Sequence, residues 1–301
     1  MTELFVRRPT FDDLDAVVEL GNAFERVFTG AEGFRVPDLA HEWRRLDLER
    51  DAWLVVVPGG RIAGYATLED RGESRFMADG YVHPELRGLG VGRKLVELAE
   101  ERARERGGTV VTTGIVTADE AAAELLGRRG YAPVRHFYRM VIELDDEPPR
   151  PVWPEGIRPE PFREDEAREL HEAIEDAFQD HWDHRPRPFE LFRERVIESP
   201  GYDPSLWTVA RAADHIAGAT ICEAGVYDMG WVHSLSVRRP WRRAGLGRAL
   251  LLNAFRQFHE RGERRVGLGV DTESPTGATR LYERVGMEVA EQTTVFLKEL
   301  V

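Results

Sequence analysis

A single cysteine, Cys222, in 301 residues excludes an internal disulfide and any metal centre built on several thiolates. Its neighbours Ala219 and Ile221 mark it as a small apolar strand residue rather than a catalytic thiol. No apolar run approaches the ~20 residues that cross a bilayer. The start, Met1-Thr2-Glu3-Leu4, lacks the basic and then apolar design of an export signal, so a cytoplasmic location is expected. Basic charge is also short: 41 Lys and Arg against 54 Asp and Glu give a net charge of −13, which argues against nucleic acid or an anionic membrane as the main partner. The composition, 42% hydrophobic and 32% charged, is that of a soluble globular chain, and the length suits about two domains of ~150 residues.

What the chain has, twice, is a glycine-rich turn opening a helix: Arg87-Gly88-Leu89-Gly90-Val91-Gly92 and Arg242-Arg243-Ala244-Gly245-Leu246-Gly247. Glycine lets backbone amides crowd around an anion, and the helix that follows adds the positive end of its dipole, so each copy reads as a pyrophosphate cradle. The second carries a local basic cluster, Arg238, Arg239, Arg242, Arg243 and Arg248, which in an acidic chain suits a small polyanion better than a polymer. The surroundings repeat as well. Trp53 and Trp207 are 154 apart, Gly90 and Gly245 are 155 apart, and Gly130 and Gly286 are 156 apart. A repeat this long is a whole domain rather than a solenoid unit. Four prolines between Pro148 and Pro154 mark the border. The expected domains are 1–147 and 157–301, with a Pro-rich linker at 148–156.

Periodicity predicts the same plan in both halves: strand, helices, three strands, cradle, helix, strand, helix, strand. Residues 53–57 and 62–68 read as one hairpin, and 206–210 and 215–222 as the other. Trp231 to Val237 is expected to be the strand entering the second cradle, and 266–270 the next. Ser274-Pro275 reads as the cap and first turn of a helix stopped by Gly286, while Thr117 and Glu120 have capping-box spacing before Gly130.

Two other phosphate motifs fail on their letters. A P-loop needs Gly-Lys followed by Ser or Thr, but Gly92 is followed by Arg93 and Gly247 by Arg248; a dinucleotide fingerprint needs a third small residue where Leu95 and Leu250 stand. The Arg-x-x-Gly-x-Gly turn in strand-turn-helix context, joined in the second half by Ala278, Leu281, Tyr282 and Gly286, resembles the GCN5-related N-acetyltransferase (GNAT) family, over nearly the whole chain as two fused copies. The resemblance implies an α/β fold of two tandem domains, each a twisted mixed sheet flanked by helices, whose fourth and fifth strands splay to admit the pantetheine arm of acetyl-CoA.

By the same resemblance, an acceptor amine attacks the thioester directly in a ternary complex, and Tyr282 protonates the departing thiolate; a phenol with an ordinary pKa near ~10 carries its proton at neutral pH. The equivalent position in the first half is Leu126, which has no proton to give, so the first domain is expected not to be catalytic. Its cradle, with Val82, Arg87, Gly88, Gly90 and Gly92, is compatible with cofactor binding or with a purely structural turn. In the second half, Leu235 and Val237 on the entering strand, with Arg242, Arg243, Ala244, Gly245, Leu246, Gly247 and Arg248, are the expected cofactor contacts. His233 and Glu223 are the candidates for removing the proton of the incoming ammonium, each weighed against an ordinary strand role.

Acceptor recognition is expected from about 165–200, where Asp180, His181, Trp182 and Asp183 precede His184. The acids there would attract a cationic amine, and the spacing lacks a further ligand, so no metal is expected. The asparagine often found three residues before the motif alanine is Pro275 in the second half and Asp119 in the first. The expected function is acetyl transfer from acetyl-CoA to a small-molecule amine by a monomer or homodimer; alternatives are a non-catalytic acyl-CoA sensor and a protein N-acetyltransferase.

Overall fold

In the computed structural model, which describes residues 3–300, each half of the chain folds through the same order of elements. The first runs β1 (Phe5–Arg7), α1 (Leu14–Phe28), α2 (Val36–Trp43), β2 (Ala52–Val56), β3 (Ile62–Asp70), β4 (Arg75–Val82), α3 (Val91–Glu105), β5 (Val110–Val116), α4 (Glu120–Arg128) and β6 (Ala132–Glu143). The second runs β7 (Ile157–Pro161), α5 (Ala167–Phe178), α6 (Phe189–Phe192), β8 (Thr208–Ala212), β9 (His215–Val226), β10 (Met229–Val237), α7 (Leu246–Glu260), β11 (Arg265–Asp271), α8 (Ala278–Arg284) and β12 (Glu288–Glu299).

All five residues of β2 are buried, because helices cover both faces of the strand. Alternation sends Leu54 and Val56 against Val17, Leu20, Leu39 and Trp43, and sends Trp53 and Val55 to the side of Val91, Leu95, Ala99 and Ala103. A strand buried on both faces reads as a plain apolar run, which is how it stands in the sequence. In the second half α5 and α7 contribute Leu170, Ala173, Leu251 and Phe255 to one core with Val209, Ile221 and Val232. The mixed sheets expected from the resemblance are present: β3 and β4 pair antiparallel and β4 and β5 parallel, as do β9 with β10 and β10 with β11.

The compact units are not the two halves. One consists of the residues up to Phe137 together with those from Glu291 onward, and the other runs from Tyr138 to Ala290. The strand order is β1-β2-β3-β4-β5 followed by the Glu291–Glu299 part of β12 in the first unit, and β7-β8-β9-β10-β11 followed by the Tyr138–Glu143 part of β6 in the second, so the later part of each repeat's last strand joins the other sheet. In the first unit Thr293–Glu299 pair antiparallel with Val116–Val110, and Phe296 and Leu300 join the core with Phe76 and Val111. Lys298 Nζ lies 2.9 Å from Oε1 of Glu100, whose side chain is 2% exposed. Burial pushes the Glu100 carboxyl up, and the hydrogen bonds from Lys298 and Arg129 outweigh it, leaving it below the ordinary value.

The division at 147 and 157 is therefore corrected, because the Pro-rich segment lies inside the second unit: Arg256 Nη1 donates to the Pro148 carbonyl at 2.9 Å and Trp153 packs on the Ile157, Ala210 and Leu250 cluster. Two helix starts also differ. Asp119 caps α4, accepting from the Ala122 amide at 3.1 Å, while Thr117 bonds Thr294 instead. α8 begins only at Ala278, after Gly277 with φ +70°, and Ser274 bonds Thr276.

Replacing Phe296 by Ala should cost about 3–5 kcal/mol, the usual loss for a buried ring. Hydrogen exchange should show Val110–Val116 losing protection first; a small cost with β5 still protected would contradict the exchanged-strand packing.

Candidate active site

Both cradles have one backbone. Gly90 and Gly245 stand at the N-caps of α3 and α7 with φ of +87° and +88°, a region where an L side chain costs about 1–2 kcal/mol. Two residues earlier, Gly88 at φ +78° and Arg243 at +65° take the same left-handed step. Neither cap uses a side chain, and the first helical bonds come from Lys94 and Ala249, so the amides of Val91, Gly92 and Arg93, and of Leu246, Gly247 and Arg248, have no acceptor within their helix. A Cβ on Gly247 would stand 3.2 Å from Leu281 and 3.7 Å from Val237, and one on Gly245 would meet nothing within 4 Å. Helix and strand thus close behind the turn while its front is open, a form that fits a diphosphate.

The arginines leading into the second cradle are tethers. Arg242 donates to Val237 O at 3.0 Å, Ala177 O at 2.8 Å and Asp180 Oδ2 at 3.0 Å. Arg239 also pairs with Asp180, and Arg238 with Asp176 at 2.7 Å. Hydrogen bonds from Arg239 and Arg242 hold the Asp180 carboxyl at about 2. This corrects the expectation for Asp180, whose charge pins the loop after α5 to the cradle instead of facing a cationic acceptor. His181 packs at a tilt against Phe178 with centroids 4.5 Å apart, and burial pushes its pKa down. Trp182 is half-buried beside it, Asp183 pairs with Arg185 at 3.4 Å, and His184 Nε2 lies 3.3 Å from Glu175. Among the described residues no group of three His, Cys, Asp or Glu is arranged to hold a metal.

β10 carries the local irregularity of the site. Its pairing with β9 steps from Val232↔Cys222 to Ser234↔Ile221, so His233 is an extra residue, a bulge. The bulged His233 places Nε2 2.9 Å from Glu223 Oε2, with the histidine side chain 43% exposed and the glutamate 14%. The two candidates chosen separately from the sequence are hydrogen-bonded to each other. The parallel pairing of β10 with β11 covers only Gly230–Val232; beyond it the strands part, and Leu235 and Val237 pack toward Leu246 and Leu250 of α7. Ser234, which the sequence reading did not single out, has a buried Oγ without a hydrogen-bond partner beside the bulge. Tyr282 of α8 is 7% exposed within the core of this unit, and burial pushes its phenol up to about 12. Cys222 is buried, with its thiol also pushed up to about 12 by burial.

The first unit has the parting without the bulge. β4 pairs with β5 only over Arg75–Ala78, yet its register with β3 is unbroken from Phe76 to Val82. Leu126 is a buried core residue. Arg87 forms a two-bond ion pair with Asp119, Nη1 to Oδ1 at 3.0 Å, and lies over the Phe28 ring at 4.7 Å. Phe24, Phe28, Phe34 and Tyr81 pack next to it with centroids 4.7–5.4 Å apart. The pairing of Arg87 was missed in sequence, where Asp119 showed only as a departure from asparagine.

The model of the acetyltransferase (GNAT) family matches residues 17–131 and again 167–287. A mycothiol acetyltransferase of Catenulispora acidiphila is 31% identical over 300 residues, covering 93% of this chain and 94% of its own length. The crystal structure of a GCN5-related N-acetyltransferase from Sphaerobacter thermophilus has a TM-score of 0.82 at 36% identity, covering 98% of this chain and 95% of that one. A tandem GNAT protein from the clavulanic acid biosynthesis pathway, at 19% identity and a TM-score of 0.78, shares the fold over 99% of this chain and 98% of its own.

The Asp180 tether carries a pH prediction. A carboxyl held near 2 stays ionised at pH 4, where an ordinary Asp is about half protonated, and the pairing is lost only as pH falls through the lowered value. At pH 4, amides of residues 179–185 should therefore exchange faster in Asp180→Asn than in the parent; equal rates would remove the tether.

Proposed function

The chain belongs to the acetyltransferase (GNAT) family, and from that premise we propose that its second unit transfers an acetyl group from acetyl-CoA to a primary amine of a small molecule. The observation that carries this is the bulge at His233, which sets an imidazole-carboxylate pair where β10 and β11 part, in the unit that also holds Tyr282. The first repeat has no bulge in the equivalent strand β4 and Leu126 in place of the tyrosine, and is read as non-catalytic.

Acetyl-CoA, when bound, supplies the activated thioester. The amides of Leu246, Gly247 and Arg248 would receive its diphosphate on the dipole of α7, and the β10 backbone from Leu235 to Val237, freed from β11, would meet the pantetheine amides. Arg239 and Arg242 hold the cradle to α5, so their part is to position the turn.

Glu223 fixes the proton of His233 on Nε2, which leaves the Nδ1 lone pair to take the proton of the incoming ammonium. A neutral amine can then attack the thioester carbonyl. Tyr282, whose buried phenol keeps its proton far above neutral pH, donates to the departing thiolate. The buried Ser234 hydroxyl is a further donor beside the same strand. Relatives named mycothiol acetyltransferase, 31% identical over most of the chain, support a small, polar acceptor of that class over a protein terminus.

Tyr282→Phe should lower kcat by about 10²-fold or more while KM for acetyl-CoA stays nearly constant. Because the raised pKa keeps the phenol protonated until pH nears 12, the parent should show no basic limb from this group at pH 9. Unchanged turnover in the variant would remove the tyrosine from the reaction.

A further inference from the structure

We propose that Gly201 is a positioning residue for this site: its missing side chain is the space in which the Glu223 carboxylate lies, and the loop carrying it holds that carboxylate on His233. The inference rests on the reading of His233 and Glu223 given above.

A Cβ built on Gly201 would stand 1.9 Å from Glu223 Oε1, 2.1 Å from Cδ and 2.6 Å from Oε2. These are overlaps with the whole carboxylate, at separations that no side chain occupies. The backbone of Gly201 lies outside the left-handed region, so conformation does not demand glycine at this point. The demand is space, and the three nearest atoms that meet it all belong to that carboxylate.

The loop is built to stay there. α6 continues into a π-helical turn, Arg193–Ile197, whose wide closure is seen in the Glu198 amide bonded to the Arg193 carbonyl at 2.9 Å. Ser199 Oγ then donates to Val196 O at 3.0 Å, and the Tyr202 amide closes a turn on Ser199 O at 3.1 Å. Tyr202 stands edge-on to Trp207 with centroids 5.2 Å apart, and its hydroxyl donates to Glu164 at 3.0 Å. The Trp207 indole in turn donates to the carbonyl of Cys222 at 3.0 Å, the residue before Glu223. One clamp therefore fixes both the strand that carries the glutamate and the loop that presses on its carboxylate. The effect on the pair is visible in its exposure: Glu223 is 14% exposed while its partner His233 is 43% exposed.

Holding the carboxylate has a chemical consequence. A glutamate free to rotate offers the imidazole an acceptor only part of the time, whereas a fixed one keeps the Nε2–H tautomer and the ring orientation that proton removal needs. Gly201 touches no reacting atom; it acts through Glu223.

The substitution Gly201→Ala separates position from stability, because the overlap falls on the movable end of a side chain and the backbone geometry tolerates alanine. The thermal midpoint should stay close to the parent's, kcat should fall by about tenfold or more and KM for acetyl-CoA should change by less than about twofold. The ¹⁵N signal of His233 Nε2 should move in the same direction as in Glu223→Gln. In a double-mutant cycle, Gly201→Ala should add almost nothing to Glu223→Gln, since the group it displaces has already lost its charge. An additive loss, or unchanged turnover with an unmoved His233 signal, would overturn the role of Gly201. Should Glu223→Gln itself leave turnover intact, the catalytic reading of the pair fails, and the ¹⁵N signal alone decides: a shift in Gly201→Ala upholds the positioning, and an unmoved signal refutes it.

Discussion

One extra residue in β10 governs the second unit. Antiparallel pairing admits one partner per residue, so the insertion of His233 between Val232↔Cys222 and Ser234↔Ile221 forces the backbone to kink and re-aims the side chain. The consequence is local: the imidazole reaches Glu223 at the point where the ladder to β11 ends, a parting that β4 and β5 share without any bulge, and the strand beyond runs alongside α7 into the cradle with its β11 edge unpaired. Without the bulge the other parts are only a phosphate-binding turn and a buried tyrosine. The first unit provides the comparison, since β4 keeps its register with β3 through the same stretch.

The two repeats also differ in how they dispose of the arginine before each cradle. Arg87 is taken by Asp119 at the head of α4, whereas Arg242 is taken by Asp180 at the end of α5. In the first unit that ion pair connects the segment after β4 to the segment after β5, across the mouth of the parted strands, with Phe24, Phe28, Phe34 and Tyr81 filling the space beside it. In the second the corresponding charge is drawn to the loop after α5, and proline stands at the place of Asp119. One backbone thus serves two ends through the choice of acid. The first unit accommodates such a pair because Arg87–Asp119 is satisfied locally.

Much of this was legible in the letters. The cradles, their helices, the hairpins and the tyrosine carry local patterns, since glycine spacing, apolar periodicity and a motif of nine residues depend on near neighbours. The exchanged strands were not legible: β6 and β12 have the same length, and nothing local states which sheet receives Phe296. The fate of Asp180 was hidden for a related reason, because an acid in a loop looks free until Arg239 and Arg242 arrive from about sixty residues away. Gly201 escaped because its significance lies in what fills the space beside it. His233 and Glu223 were each identifiable as ionisable strand residues, but their hydrogen bond depends on a bulge that no single-strand pattern encodes.

The central claim is that chemistry belongs to the second unit although both carry a cradle. It is tested most directly by measuring acetyl-CoA-dependent acetylation of a small amine in two matched variants, Gly90→Glu and Gly245→Glu, each placing a carboxylate at the N-cap of its helix and each bearing the same left-handed backbone cost. The account predicts that Gly245→Glu abolishes transfer and that Gly90→Glu leaves it close to the parent's. Transfer that survives Gly245→Glu and is lost in Gly90→Glu would contradict it and move the reaction to the first unit.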